Sequence, residues 1–281
     1  MIQDIITDSW QMVWFVVEAL LIAFIGIFLF DARTKFDENK LVIEDSNLAV
    51  ALRKGAILLG LGIGLSSSLA GPVEHLWRDT LDVAIYGVIT LICLFVAGWI
   101  NDKFLLTGVK NDTEIEAGNS AVGFFEIGSY LATGMILRES LAGENGSILN
   151  ALIFFLEGQL ALIIFFKLYE WVTPYNLVNL VKDRNDAAGV AVGAMMTSLG
   201  FILAAGIAGP YTGLWQDVLA IAVAAVQGII LLLLVRLIAA RLFLPKASLQ
   251  EEIVRDRNAA AIVQMDGFII AAALLIAAVV L

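Results

Sequence analysis

The sequence predicts an all-α polytopic membrane protein, a helical bundle of eight transmembrane helices arranged as four two-helix parallel repeats. Three observations carry this expectation. Hydrophobic residues make up 60% of the 281 and charged residues only 16%, with a mean hydropathy of +0.90, more apolar than the core of a soluble domain of this length requires. Apolar segments recur along the chain, each long enough at ~1.5 Å per residue to cross roughly 30 Å of hydrocarbon. Slid by 138 or 139 residues, the chain also matches itself, as a duplication does.

The expected spans are 11–30, 47–70, 80–100, 119–137, 149–168, 186–208, 216–238 and 259–281. The first follows an acidic start (Asp4, Asp8) where a secretory signal is basic, so it reads as a retained helix. The second, fourth, sixth and eighth all open on Asn-x-Ala, at Asn47, Asn119, Asn185 and Asn258. The third carries one acid, Asp82, at its start. The fifth and seventh are apolar runs around Glu157 and Gln227. The sixth carries Gly189, Gly193, Thr197 and Gly200, a small-residue ladder that lets helices approach closely. Trp77 and Trp215 each follow a Gly-Pro turn and read as interfacial anchors. Tyr86, Gln227 and Gln264 are expected to hydrogen-bond between helices.

Lys and Arg set the orientation, because positive residues flanking short loops resist translocation. Segments 31–54, 101–118, 167–184 and 236–257 hold 15 of the 17, leaving Arg78 and Arg138 on the other side. The charged loops are therefore expected to face the cytoplasm, with both termini outside it. The net charge of −10 comes from acids interleaved with these cations in loops, which argues against nucleic acid as a partner. Cys93 and His75 are each the only residue of their kind, so neither a disulfide nor the usual zinc site is expected. No dinucleotide, nucleotide-loop or Ser/His/Asp pattern occurs, so an enzyme is not expected, nor a cofactor.

A shift of 138 places Asn47 on Asn185, Ala70-Gly71-Pro72 on Ala208-Gly209-Pro210, and Leu76-Trp77 on Leu214-Trp215. A shift of 139 places Glu18 on Glu157, Thr34 on Thr173 and Asn119 on Asn258. The chain thus divides into a first four-helix repeat, 1–140, and a second, 141–281. Each unit has an even number of spans, so successive copies enter the membrane in the same direction. The repeated asparagine reads in two ways. Its side-chain oxygen can cap a helix start, helped by acids just upstream such as Asp45, Glu114, Asp183 and Asp256, or its amide can bridge neighbouring units.

The run Leu168-Tyr169-Glu170-Trp171-Val172-Thr173-Pro174-Tyr175, continuing to Asn185, Ala187 and Gly193, resembles the repeat of the bacterial membrane proteins grouped as domain of unknown function 350. Asp31, Thr34, Phe36, Asn47, Ala49, Ala51 and Gly55 match it more loosely, and Thr34-Lys35-Phe36 departs from the turn pattern. The resemblance covers nearly the whole chain as two copies. It implies a bacterial inner-membrane location and defines no activity.

Four acids lie inside spans: Glu18, Glu126, Glu157 and Asp266. Each costs roughly 2.5–3.5 kcal/mol at a helix centre, so they are expected to face the bundle interior. Helical rise puts Glu126 and Asp266 ~10–12 Å from the cytoplasmic end and Glu18 and Glu157 nearer ~18 Å. Asn119, Glu126, Ser129 or Tyr130, and Thr133 share one stripe of the fourth span. Lys54, at the depth of Glu126, is expected to neutralise it, while Arg53 snorkels toward headgroups. Two functions fit. One is a proton- or cation-linked transporter or channel, its four units around a central polar path, using Glu18, Glu126, Glu157 and Asp266 with Lys54 as counter-charge. The other is a scaffold whose cytoplasmic loops, through Lys35, Lys40, Arg255 or Arg257, dock a soluble protein, as in envelope stress. The lipid bilayer is the partner common to both, and homo-oligomer formation is left open.

Overall fold

The computed structural model describes residues 2–69, 73, 75–142, 147–245 and 247–280, with side chains from Ser9 to Val279. Among these residues eight helices are long and apolar enough to cross a membrane. In chain order the helices are α1 (Ile2–Arg33), α2 (Glu38–Ile43), α3 (Leu48–Leu65), α4 (Leu76–Ile100), α5 (Asn111–Glu116), α6 (Ser120–Ser140), α7 (Ile148–Val172), α8 (Leu177–Lys182), α9 (Asp186–Ile207), α10 (Leu214–Phe243) and α11 (Ala259–Val280). Two π-helical turns, Asn101–Leu105 and Glu251–Arg255, complete the set.

The spans fall where hydropathy places them, except that α3 is shorter than expected. Beyond Leu65 the hydroxyls of Ser66, Ser67 and Ser68 donate to the carbonyls three residues back, satisfying the last turn's acceptors locally and ending the helix. Ala70 to Pro72 and Leu281, included in the expected second turn and last span, lie outside the described residues. Trp77 and Trp215 are 71% and 79% exposed at the helix ends.

Four amphipathic elements on the Lys/Arg-rich side, α2, α5, α8 and the Glu251–Arg255 turn, stand where plain loops were expected. α5, α8 and the Glu251–Arg255 turn bury Ile115, Leu177, Val181 and Ile253 against the bundle, and α2 packs the partly buried Leu41 and Val42 on the same core. Each ends in a residue with left-handed φ: Ser46 (52°), Gly118 (79°), Arg184 (58°) and Arg257 (50°). The next residue is always the repeated asparagine, whose N–H closes back on Leu41, Glu114, Leu180 or Glu252 at 2.8–3.0 Å, a helix-terminating turn. That same asparagine then starts the following span.

The even-numbered spans α3, α6, α9 and α11 form a row, each packing on the next, and α6 and α9 in its middle are the most buried. Small residues make the row possible: a Cβ on Gly134 would lie 2.7 Å from the Gly60 carbonyl, and one on Gly200 2.5 Å from Ala132 Cα. Gly189 and Gly193 likewise abut the backbones of Ala121 and Phe124. The odd spans lie beside the row: α1 and α4 against α3, α7 against α6 and α9, and α10 against α9 and α11. The arrangement around one central path is therefore corrected. Extensive packing runs along the row and does not join α3 to α11; α6 uses small residues on both sides, Gly134 against α3 and Gly128 against α9.

Candidate functional site

The asparagines perform both expected tasks. Asn47 and Asn185 accept from the N–H of Val50 (3.2 Å) and Ala188 (3.1 Å), as N-caps do. Their amides meanwhile donate across the joint, Asn47 to the Ile115 carbonyl (3.1 Å) and Asn185 to Ile253 (2.7 Å). Asn119 bridges to Val181 (3.0 Å) without capping. Asn258, last in the row, caps Ala261 and donates to its own unit's Glu252.

Glu126 is 3% exposed on α6 and Arg53 7% exposed on α3. Arg53 Nε lies 2.7 Å from Glu126 Oε2 and Nη2 2.8 Å from Oε1, a two-pronged geometry that a planar guanidinium provides and an ammonium does not. Arg53 Nη1 reaches Asp112 of α5 at 2.6 Å. The expected Lys54–Glu126 pair is thus corrected, as is the snorkelling of Arg53. Neighbouring residues on a helix point about 100° apart, so with Arg53 facing α6, Lys54 turns to α1 and α2. There it pairs with Asp31 (2.9 Å) and Glu38 (3.4 Å). Burial, then the adjacent Asp31, pushes the Glu38 carboxyl up to about 7, against the pull of Lys54. The remaining stripe of α6 is also buried and partnered: Ser129 donates to Asn101 (2.6 Å), and Thr133 accepts from Gln159 (3.1 Å).

The second half keeps an acid at the same level but takes its cation from elsewhere. Shifted by 138, Arg53 falls on Ala191. Arg236 of α10 replaces it, 6% exposed, its guanidinium 4.1 Å from the Tyr169 ring centroid and its Nη2 donating to the Tyr175 hydroxyl at 3.3 Å. Asp266 is 3% exposed and feels the charge of Arg236, yet neither carboxylate oxygen has a hydrogen-bond partner, nor does Arg236 Nη1. Burial and the charge of Asp266 push the Tyr175 phenol up, so it stays protonated. By sequence Arg236 falls both at the end of the expected seventh span, 216–238, and in the positive segment 236–257. The apolar run from Leu231 to Phe243, broken only by Arg236 and Arg241, is the signal that places it well within a span.

Glu18 on α1 and Glu157 on α7 are half-buried, each with Oε2 enclosed and unpartnered. They do not join Glu126 or Asp266 in one cluster. Gln227 and Gln264 are exposed rather than bonded between helices. Two cavities open at repeat-equivalent places on the positive side. One of about 500 Å³ is polar, lined by Arg33, Lys35, Asp102, Asp112 and Glu116, and ends at the Asp112 that holds Arg53. The other, about 400 Å³, is mostly apolar and ends at Tyr169, Tyr175 and Arg236.

These features define a multi-pass helical membrane protein built from two tandem four-helix copies. The chain belongs to the family described as Domain of Unknown Function (DUF350), whose model matches residues 3–141 and again 144–280. It is similar to the UPF0719 transmembrane protein YshE of Bacillus subtilis (strain 168), 28% identical over 137 residues that cover 48% of this chain and 100% of that protein. No solved structure matches the chain.

Proposed function

We propose that the protein is a proton- or cation-linked transporter of the bacterial inner membrane, not an enzyme, with its positive side and the two cavities facing the cytoplasm and both termini outside. The exchange site is Asp266. The observation that carries this reading is the pair of buried carboxylate oxygens of Asp266, neither with a hydrogen-bond partner. A buried carboxylate without hydrogen bonds is costly, and intramembrane acids in that state mark ion or proton routes. Tyr175 and Arg236 connect the site to the 400 Å³ cavity, which supplies access from the cytoplasmic side. Glu157, on α7 beside α10 and also unpartnered at Oε2, is a carboxylate farther from the positive side.

Glu126 has a different role. Its two bonds to Arg53 are complete, so it fixes α3 on α6. Proton- or cation-driven flux in proteoliposomes separates the two acids. Asp266→Asn should lose gradient-dependent flux while keeping its thermal stability. Glu126→Gln should lower stability by up to about 3 kcal/mol, because Arg53 then stays buried with the half-exposed Asp112 as its remaining carboxylate. Wild-type flux from Asp266→Asn would remove the reading.

The scaffold reading draws on the exposed charges of the positive face, where Arg255 pairs with Asp256 (2.7 Å) and Glu251 (3.2 Å) at the surface. Within it Arg257 is no docking residue, because its guanidinium donates to the Asp183 carbonyl (3.2 Å) and ties the fourth unit to the third. Reversal of Lys35, Lys40 or Arg255 is then the relevant test, read by pull-down of a soluble partner.

A further inference from the structure

The middle joint of the row shows how one half of the chain meets the other. There Gly193 of α9 lies against Phe124 and Gly128 of α6, and Gly200 against Ala132. A shift of 138 carries Gly193 and Gly200 onto Gly55 and Gly62 of α3, and a shift of 139 carries Gly128 and Ala132 onto Gly267 and Ala271 of α11. At Gly55, Gly62 and Gly267 an added Cβ would meet nothing within 4 Å. The two surfaces that join the halves are therefore both present a second time, uncovered, at opposite ends of the row.

The polar parts of the joint correspond as well. Asn119 donates to Glu114 of its own unit (3.1 Å) and, across the joint, to the Val181 carbonyl near the end of α8. Asn258 makes the own-unit bond, to Glu252 at 2.8 Å, and among the described residues no short helix of a neighbouring unit takes a bond from its amide. Val42 of α2 occupies the repeat position of Val181. On α11 the open face comprises Ala260, Val263, Gly267 and Ala271 and includes Gln264, an amide exposed within a span. A polar side chain facing lipid is unfavourable, and helices in bilayers associate through small residues and interhelical hydrogen bonds.

We propose that α3 of one copy of this chain packs on α11 of a second copy, repeating the α9–α6 joint head to tail. The contact is heterologous, since each copy uses one face as donor and the other as acceptor. All units are parallel, so the rotation from copy to copy runs about the membrane normal and the row continues within the bilayer. Ala51 stands where α9 has Gly189, which adds one methyl at the positive end of the new joint.

The test uses the full chain carried from membranes into nanodiscs. Native mass spectrometry should give multiples of 30.3 kDa. Gly55→Leu or Gly267→Leu should leave only the single-copy mass with an unchanged melting temperature, because each position is open within one copy. In the middle joint Ser120 Oγ and Asp186 Oδ1 meet at 2.6 Å, and their repeat positions are Ala259 and Leu48. Oxidised mixtures of Leu48→Cys and Ala259→Cys chains should therefore cross-link, whereas neither variant alone should. Single-copy mass for the wild type, cross-linking by either variant alone, or oligomers that survive both leucines would overturn the proposal. None of these outcomes depends on Asp266 or on transport.

Discussion

At the scale of single residues, the two arginines show how much a buried cation depends on its partner's geometry. Arg53 has every prong of its fork engaged, by Glu126 and by the half-exposed Asp112. Arg236 is equally buried, keeps an unpartnered Nη1 and rests on an aromatic face. The first arrangement ties α3 to α6 through a complete set of bonds, and the second leaves Arg236 Nη1 and the Asp266 carboxylate without hydrogen-bond partners. A third cluster, Asp31, Glu38 and Lys54, sits at the membrane boundary with two acids for one ammonium. Glu38 ionises at about 7 in the folded protein against 4.5 as a free side chain. Between those values the folded protein holds a proton that the unfolded chain has released. Its stabilising contribution is therefore complete below the lower value, declines as pH rises, and is lost above about 7. Thermal denaturation in detergent from pH 5 to 8 should show a falling melting temperature, and Glu38→Gln should flatten the fall. An equal slope in the variant would show that Glu38 does not control it.

At the scale of elements, the unit is a short interfacial helix, a left-handed residue, an asparagine and a long span. Asparagine suits the junction because its N–H ends one helix, its side-chain oxygen starts the next, and its amide reaches a neighbouring unit; ionised Asp has no side-chain donor, and Ser has one hydroxyl oxygen for both side-chain tasks. The left-handed position is glycine in the second unit and Ser46, Arg184 and Arg257 in the others. A side chain there costs about 1 kcal/mol or more. Arg184 and Ser46 are exposed, so Arg184→Gly and Ser46→Gly should each raise stability by up to about 1 kcal/mol, measured as a shift in the detergent denaturation midpoint. Unchanged or lower midpoints would mean that these side chains hold contacts outweighing the strain. The spans and the asparagine period were legible in the sequence because length, hydropathy and repetition are one-dimensional signals. The short helices were not: six residues with one buried face, such as Leu177 and Val181 in α8, fall below the length at which a helical period stands out from a charged loop.

At the scale of the whole molecule, the same limit explains what the sequence left open about the candidate site. Depth along a span follows from residue count, and it marked Glu126 and Asp266 as acids at one level. Direction around the helix axis does not follow from count, so Lys54 and Arg53 exchanged roles, and Arg236 was hidden by its distance in sequence from Asp266. Nor does a small-residue face reveal whether a row closes on itself, and α3 and α11 remain apart at its ends. The halves nevertheless behave as modules: the family model matches each separately, at 3–141 and 144–280, and YshE is matched over its entire length by 48% of this chain. The joint between them is the α6–α9 contact, in which glycine places backbone against backbone, together with the Asn119–Val181 and Ser120–Asp186 bonds. None of these links needs the covalent connection around residue 143. Co-expressed chains of residues 1–142 and 143–281 should therefore reassemble and co-purify from membranes through a tag on one of them. Gly193→Leu in the second chain should abolish co-purification, because any side chain there collides with the Phe124 carbonyl, whereas Gly267→Leu, on the open face of α11, should leave it intact. Equal loss from both variants would place the joint elsewhere than α6 and α9.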